Sequence, residues 1–316
     1  MSGTAGTGCL ACGADELRPW RSVRSFDRRS SRPTYGLTRC ESCGSAITEG
    51  HSAADVGSLH QGGQYGRPRP AVDRLLEPLR RLGDRSILGA LGEIPAGSTV
   101  LDFGAGDGRL LALLQARGCE VRGVEPFAQS YPAGLAIECV RIDEAEIPPQ
   151  SADVVILWHT LEHLDDPAKA LLLAARALRP HGRLVVSVPA LDSLQARIGG
   201  DRWFHLDVPR HAVHFTRAGI SQLVERCGMQ IVRRQNGSFD QNLLGMAQTL
   251  LNRLTTQPNV AFRALKGDRA GVLHRELVMS ALAAVPAVLV GSMIEATAMV
   301  TKRGGVMVVH AVPRDV

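Results

Sequence analysis

Between residues 97 and 235 the chain alternates short apolar runs with stretches of helical spacing, and few folds accept that pattern. The runs STVLDF (98–103), CEVRGVE (119–125), AIECV (136–140), ADVVILW (152–158), GRLVVSVP (182–189) and MQIVRRQ (229–235) read as strands. Leu110, Leu111, Leu113 and Leu114 start one helix between them. A second helix covers 166–180, with Pro167 at its start and Pro-His-Gly at its stop, and a third covers 216–228 behind Thr216 as N-cap. GVMVVHAV (305–312) supplies one more strand after a long insertion. Strands separated by helices pair mostly in parallel, because a crossover helix returns the chain to the same end of the sheet. The expected core is α/β, a mostly parallel seven-stranded sheet with helices on both faces.

Composition narrows the alternatives. The 316 residues are 45% hydrophobic and 21% charged, with a mean hydropathy of +0.00, which excludes wholesale disorder, coiled-coil, collagen-like and multi-span membrane chains. A net charge of +5 comes from 36 basic against 31 acidic residues, a weak argument for nucleic acid as a partner. The basic residues are nearly all arginine; Lys169, Lys266 and Lys302 are the lysines. Seven cysteines, two of the pairs spaced C-x-x-C, do not make a secreted disulfide framework, and Met1 to Asp15 lacks the basic and apolar regions of a signal peptide. A cytoplasmic setting is expected.

The expected organisation is a cysteine-rich module at 1–50, a linker and helical segment at 51–96, a core at 97–240, a helical apolar insertion at 241–304 and a final core strand at 305–316. Within the second part, residues 71–92 have helical spacing interrupted by Pro78 and Gly83. Within the insertion, no residue from Leu277 to Ile294 is charged, while Arg275, Glu276, Glu295, Lys302 and Arg303 flank the stretch. Its length is at the lower edge of a membrane span, which needs about 20 residues, and Pro286 and Gly291 interrupt it. The plain reading is a buried or oligomer-forming helix or a helical hairpin. Peripheral docking on a membrane surface is the other, and a full span sits awkwardly between two strands of one sheet.

Cys9-x-x-Cys12 and Cys40-x-x-Cys43 are each followed by a glycine (Gly13, Gly44), the knuckle pattern in which a tight turn aims two thiolates at one ion. A small module of this kind needs such a staple. Four thiolates on tetrahedral zinc leave no position for water, so this zinc is expected to hold a ribbon together and to take no part in catalysis.

The most informative stretch is Val100-Leu101-Asp102-Phe103-Gly104-Ala105-Gly106-Asp107-Gly108, at a strand-to-helix junction where bare backbone lets a ligand approach. A dinucleotide fingerprint reads G-x-G-x-x-G and holds a pyrophosphate. Here the glycines run G-x-G-x-G, and Asp102 two residues earlier suits an ammonium group better than a phosphate. Glu125 closes the second strand, where a carboxylate can accept both hydroxyls of a ribose. Asp143 opens Asp143-Glu144-Ala145-Glu146-Ile147-Pro148 after the third strand, and Trp158-His159-Thr160-Leu161-Glu162-His163-Leu164-Asp165-Asp166-Pro167 follows the fourth.

These four landmarks, in this order, resemble the class I S-adenosylmethionine-dependent methyltransferases of the 11/23 type, the last one looking like their LEHL-x-DP stretch. The resemblance covers roughly residues 97–235. It implies a Rossmann-like sheet, S-adenosylmethionine as cofactor, and a turn of Asp102, Gly104, Gly106 and Gly108 against the methionine part. It further implies Glu125 on the ribose, Asp143 on the adenine amino group, and His159 beside the cofactor. The zinc knuckles ahead of such a core, with Tyr35-Gly-Leu-Thr-Arg-Cys40 leading into the second, resemble the nucleotide-sugar C-methyltransferases. Those enzymes carry a further domain after the core, which is not expected here.

After the fifth strand, Trp203-Phe204-His205-Leu206-Asp207-Val208-Pro209-Arg210-His211-Ala212-Val213-His214-Phe215-Thr216 packs histidines, an arginine and aromatics into one segment at the ligand edge. Its carboxylate–histidine spacing does not suggest a metal site. It reads either as a packed lid or as a substrate lid in which Trp203 and His205 border the acceptor and Arg210 offers a fork to an anion. In-line displacement at a sulfonium methyl needs alignment and, for a hydroxyl or carbon acceptor, a base. His163 is the first candidate base, His159 the second, and His211 or His214 next; no catalytic metal is expected. The expected acceptor is a small molecule: a sugar, a lipid or a secondary metabolite. One alternative is a modifier of nucleic acid or protein whose ribbon arginines (Arg18, Arg21, Arg24, Arg28, Arg29, Arg32) read the target, although no N/D-P-P-Y/F stretch follows the fourth strand. Another is a non-catalytic, membrane-associated cofactor binder.

Overall fold

A computed structural model describes residues 8–26, 33–51, 70–127, 131–267 and 271–314. Of the linker expected at 51–70, residues 52–69 lie outside them, as do Arg28, Arg29 and Arg32.

Two sheets organise the chain. The larger is built from β4 (Thr99–Phe103), β5 (Glu120–Val124), β6 (Ala136–Glu138), β7 (Ala152–Trp158), β8 (Leu178–Pro189), β10 (Met229–Asn236) and β11 (Val306–Pro313). Its spatial order is β10-β11-β8-β7-β4-β5-β6. β4 pairs in parallel with both β5 and β7, whereas β11 runs antiparallel between β8 and β10. This is a Rossmann-like, mostly parallel seven-stranded sheet. The chain leaves β4 toward β5 and β6 and then returns to β7 on β4's other side. The order therefore reverses at β4, and the carboxyl ends there form the crevice in which such sheets bind ligands.

Helices cover both faces. α1 (Pro70–Leu91) lays Leu88 and Leu91 on Val100, Val154, Ile156, Val185 and Val308. α2 (Arg109–Gln115) follows the glycine turn. α3 (Pro167–Ala177) and α5 (Arg217–Arg226) cover the opposite face through Leu171, Ala174, Ile220, Leu223 and Val224. The expected caps are in place: Asp166 accepts from the Lys169 N–H and Thr216 from the Gly219 N–H. Two boundaries differ from expectation. α1 runs unbroken through Pro78, which is exposed, so its missing backbone bond is on the solvent side. α3 stops at Ala177, not 180, because Arg179 precedes Pro180 and that junction disfavours helical backbone; β8 begins at once, at Leu178.

The smaller sheet has the order β1-β2-β3-β9, from β1 (Leu17–Arg24), β2 (Thr34–Cys40), β3 (Ala46–Thr48) and β9 (Val213–His214). Its last strand belongs to the histidine-rich segment: Ala46 pairs with His214 and Ile47 with Val213. The cysteine module thus finishes its sheet with two residues of the core. Thr216, Ser45 and Cys43 tie the seam further, the Thr216 hydroxyl donating to the Cys43 carbonyl at 2.6 Å and the Thr216 N–H to Ser45 Oγ at 3.1 Å.

After the short α4 (Leu194–Gly199), the insertion holds α6 (Phe239–Leu251), α7 (Val260–Leu265) and α8 (His274–Val300). α8 is one helix through Pro286 and Gly291, neither a hairpin nor buried. Its protein-facing stripe is small or polar: Glu276, Ser280, Ala287, Gly291, Glu295 and Ala298. Glu295 accepts from Gln195 Nε2 at 2.6 Å and Glu276 from the Thr256 N–H at 2.8 Å. Leu282, Val285, Leu289 and Met293 point outward, each more than 60% exposed, and only 17% of the apolar window is buried. The helix is long and apolar enough to cross a membrane by length and composition. Its stripe of small and polar residues, not its large apolar side chains, is spent on packing.

Candidate active site

The glycine turn leaves β4 with Gly104 at φ +86°, Gly106 at +57° and Gly108 at +76°, all in the left-handed region that other residues avoid. A Cβ on Gly104 would sit 2.1 Å from Thr160 Oγ1, so the turn lies flush on the loop after β7. Glu125, at the end of β5, clamps the turn. Its Oε2 accepts from the Gly106 N–H and its Oε1 from the Phe127 N–H, both at 3.0 Å.

A cleft of about 400 Å³ opens over these elements. Gly104, Gly106, Glu125 and Phe127 form one side. Ile142, Asp143, Leu164, Lys169, Ala170 and Leu173 form another, and Trp158, His159, Thr160 and His163 the floor after β7. Asp143 is bonded to Arg141 Nε at 3.1 Å and Lys169 Nζ at 3.2 Å. Partial burial opposes its charge, but those two cations outweigh it and hold Asp143 below the usual carboxylate range.

Several expected site residues lie elsewhere. Asp102 is 2% exposed and sits beneath the turn, off the cleft wall; burial first, and the Glu125 carboxylate second, push its pKa up to about 7. Its Oδ1 has no hydrogen-bond partner. Gly108 caps α2 and is also off the wall. Trp203 is a core residue, 1% exposed, with its indole N–H toward Gln195 Oε1 at 3.5 Å. Arg210 is turned onto Asp207 in a two-pronged ion pair, so its fork faces the protein. His214 is buried in the ribbon seam, bonded to Thr48 Oγ1 at 3.1 Å. Trp203, Arg210 and His214 build the histidine-rich segment rather than line the cleft, because the ribbon sheet covers that segment from outside.

The histidines nevertheless converge. His159, in left-handed backbone (φ +52°), bonds through Nδ1 to Glu162 Oε1 at 3.2 Å. Its ring stacks parallel to that of His205, with centroids 6.1 Å apart. Desolvation, with His159 nearby, lowers the His205 pKa to about 3. His163 meets His211 edge to face at 4.7 Å, and burial holds His211 well below the ordinary range. Glu162, 1% exposed, is the residue that the sequence placed at this edge without a role. Its signal was its spacing of three residues from His159, one helical turn.

The four knuckle sulfurs also converge: all lie within 4.8 Å of one another, with Cys9–Cys43 at 3.7 Å and Cys12–Cys40 at 3.5 Å. Zinc–sulfur bonds of about 2.3 Å on a tetrahedron require edges of about 3.8 Å, so the set can hold zinc. Gly13 and Gly44 have φ +82° and +73° and turn each knuckle back, through Gly13 N–H to Cys9 O at 2.7 Å and Gly44 N–H to Cys40 O at 2.9 Å.

A profile described as a methyltransferase domain matches residues 72–234, slightly over half of the chain. The chain belongs to that methyltransferase family. It has a class I S-adenosylmethionine-dependent methyltransferase core. It is 33% identical over 104 residues to a ubiquinone biosynthesis O-methyltransferase of Neisseria meningitidis serogroup A, covering 29% of this chain and 44% of that protein. The counterpart from Pseudomonas paraeruginosa is 34% identical over 103 residues, covering 29% and 44%. The chain thus spans less than half the length of these curated relatives. Among solved structures, an S-adenosylmethionine-dependent methyltransferase from Archaeoglobus fulgidus aligns at 18% identity with a TM-score of 0.48, over 73% of this chain and 93% of that one. A phosphoethanolamine N-methyltransferase 2 from Haemonchus contortus aligns at 16% identity with a TM-score of 0.45, over 74% and 52%.

Proposed function

We propose that this methyltransferase transfers a methyl group to a hydroxyl of a small, lipophilic acceptor, with His159 as the base. The observation that carries the reading is the bond from His159, on the cleft lining, to the buried Glu162. A carboxylate accepts, so the proton of the neutral ring stays on Nδ1 and Nε2 keeps the lone pair. A third group that orients a base is the ordinary arrangement for proton abstraction. The left-handed backbone at His159 is a strain held by the fold, as at many working sites. The curated relatives act on oxygen by name, and the outward apolar side of α8 suits a lipophilic acceptor. The test is labelled cofactor offered to fractionated cell extract, where label should enter a lipid-soluble fraction through an ether bond. Label only in protein or RNA would overturn the reading.

The cleft fits the cofactor in three respects. Its cationic lining residues Arg141 and Lys169 are both bonded to Asp143 and offer little to a pyrophosphate. Ile142, Leu164 and Leu173 give an apolar slot for an adenine, with Asp143 at its rim, and Glu125 retains lone pairs for ribose hydroxyls. Asp102, beneath the turn, takes a negative charge when a cation binds above it. S-adenosylmethionine supplies an electrophilic methyl group on a sulfonium. Glu125 and the turn would fix its position, Trp158 and Thr160 would help to exclude water, and His159 Nε2 would take the proton given up by the acceptor hydroxyl.

Asp102 gives a pH signature. Its folded pKa, about 7, lies above the usual 3.8, so the folded state holds a proton that the unfolded chain has lost. Its contribution to stability is therefore fully present at low pH and declines as pH rises from about 4 to 7. A cation bound above the turn favours the ionised form. Binding of S-adenosylmethionine should then release close to one proton near pH 6 and little near pH 8. Calorimetry in buffers of different ionisation enthalpy reads this number; equal release in wild type and Asp102→Asn would remove Asp102 from the site.

The outward side of α8 is proposed to lie on a membrane surface. Arg275 precedes and Lys302 and Arg303 follow a stretch without charge, all three are exposed, and the buried bonds of Glu276 and Glu295 anchor the helix to the fold. Vesicles of anionic phospholipid should sediment the wild type and leave Leu282→Glu/Leu289→Glu in solution. A variant that still sediments, or a wild type that only dimerises, would contradict the reading.

A further inference from the structure

We propose that Trp20, Arg21 and Arg39 of the ribbon form a seat for the phosphate of an anionic phospholipid headgroup, so that the ribbon and α8 dock on one bilayer. The source of that phosphate rests on the membrane reading of α8. The seat begins with a fault in the β1–β2 ladder. Pro19 pairs with Thr38 and Arg21 with Leu37, which leaves Trp20 as the extra residue of a bulge. Neighbours on a regular strand point to opposite faces, and a bulge re-aims one of them. The Arg21 guanidinium accordingly lies over the ring of the adjacent Trp20, 3.5 Å from its centroid. The Arg39 guanidinium is 5.2 Å from the same ring.

Cations thus crowd a few residues of sheet. Arg39 is the cross-strand partner of Arg18, a like-charge pair that destabilises a ladder unless negative charge offsets it. Arg18 is answered by Glu41 at 2.9 Å. Arg21 and Arg39 have no ion-pair partner among the described residues, and Arg39 donates only its Nε, to the Gly44 carbonyl at 3.1 Å. Burial first, and the charge of Arg39 after it, hold Arg21 below the ordinary arginine range although Asp201 opposes them. A groove of about 320 Å³, bordered by Arg18, Pro19, Trp20, Arg39 and Glu41, opens beside the pair. Guanidinium forks held by an indole suit the oxygens of a phosphate.

Two observations favour a bilayer over a nucleic acid. Arg21 covers the face of Trp20 on which a base would stack. The seat is also continuous with the first turn of α8. Asp201 is within electrostatic reach of Arg21, and the adjacent Arg202 donates to the Thr255 and Thr256 carbonyls at 3.1 and 3.3 Å. The Thr256 N–H in turn donates to Glu276 of α8 at 2.8 Å. On the segments that meet there, Leu254, Leu265 and Leu273 are exposed alongside Arg253, Lys266 and Arg275. Apolar side chains rimmed by cations, with an indole at the edge, are the composition of a surface that lies among headgroups.

The test is flotation of the full-length protein with vesicles of phosphatidylglycerol and phosphatidylcholine, and with vesicles of phosphatidylcholine alone. Arg21→Gln/Arg39→Gln should bind the anionic vesicles about tenfold more weakly than wild type and the neutral ones equally well. Arg21→Lys/Arg39→Lys keeps the charge and should stay within about threefold of wild type. A lysine variant as weak as the glutamine variant would assign the loss to the packing of Trp20 and overturn the seat. Equal affinity of wild type and the glutamine variant for anionic vesicles would overturn it too, as would displacement of the vesicles by free inorganic phosphate. Leu282→Glu/Leu289→Glu separates the two readings. Undiminished binding of that variant to anionic vesicles, with loss in the glutamine variant, would refute the docking of α8 and leave the seat. A wild type that binds neutral and anionic vesicles equally would leave α8 on the membrane and remove the seat.

Discussion

Replacing Cys40 and Cys43 together by serine should abolish methyl transfer while leaving S-adenosylhomocysteine affinity within about fivefold of wild type, a shift of about 1 kcal/mol. The reason is the shared sheet. The knuckles aim four sulfurs at one point, and a structural zinc is worth on the order of 10 kcal/mol to a module this small. Without it β1–β3 lose their staple, and β9 loses the partner that holds His214 and, through Thr48 Oγ1, the His211 carbonyl at 2.7 Å. His51, at the end of the ribbon, is also bonded to Asp165 on the cleft loop at 2.7 Å. The glycine turn and Glu125 belong to β4 and β5, on the other side of the cleft, and make none of these bonds. Titration calorimetry and a label-transfer assay on the same preparation separate the two effects. Intact transfer in the double variant would show that the ribbon does not support the site; parallel loss of both would show that it supports the whole core.

His159→Asn should lower kcat by about 10²- to 10⁴-fold, the usual contribution of a positioned base, with cofactor affinity little changed. Asparagine tolerates the left-handed backbone at 159, so the fold should survive. Glu162→Gln should lower kcat by less if Glu162 only orients the ring. His205→Asn removes the stacked neighbour without removing a proton acceptor, and should have the smallest effect of the three. Full activity in His159→Asn would move the base elsewhere in the cleft, with His163 next.

The parts legible in the sequence were those fixed by local chemistry. Strand runs such as 152–158, the caps Asp166 and Thr216, the glycine turn and both knuckles depend on neighbours within a few residues, and each has a physical signature. The parts not legible depend on distant partners. β9 is two residues long and is a strand only because β3, some 165 positions earlier, pairs with it. Asp102 reads as a ligand contact in sequence, but the strand's alternation carries it under the turn. Trp203 and Arg210 look like lid residues until the ribbon covers their segment. α8 has an apolar run that reads as buried. Glu276 and Glu295 take the packing side because Gln195 and Thr256 offer bonds that only polar groups can use.

Glu125 offers the most direct measurement. Titrated calorimetrically with S-adenosylhomocysteine, the wild type should show a single site, and Glu125→Ala should bind at least tenfold more weakly, since it loses the proposed acceptor for the ribose and the clamp on Gly106 and Phe127. No heat with S-adenosylhomocysteine, together with tight uptake of NADH, would contradict the assignment of this cleft to the methyl donor.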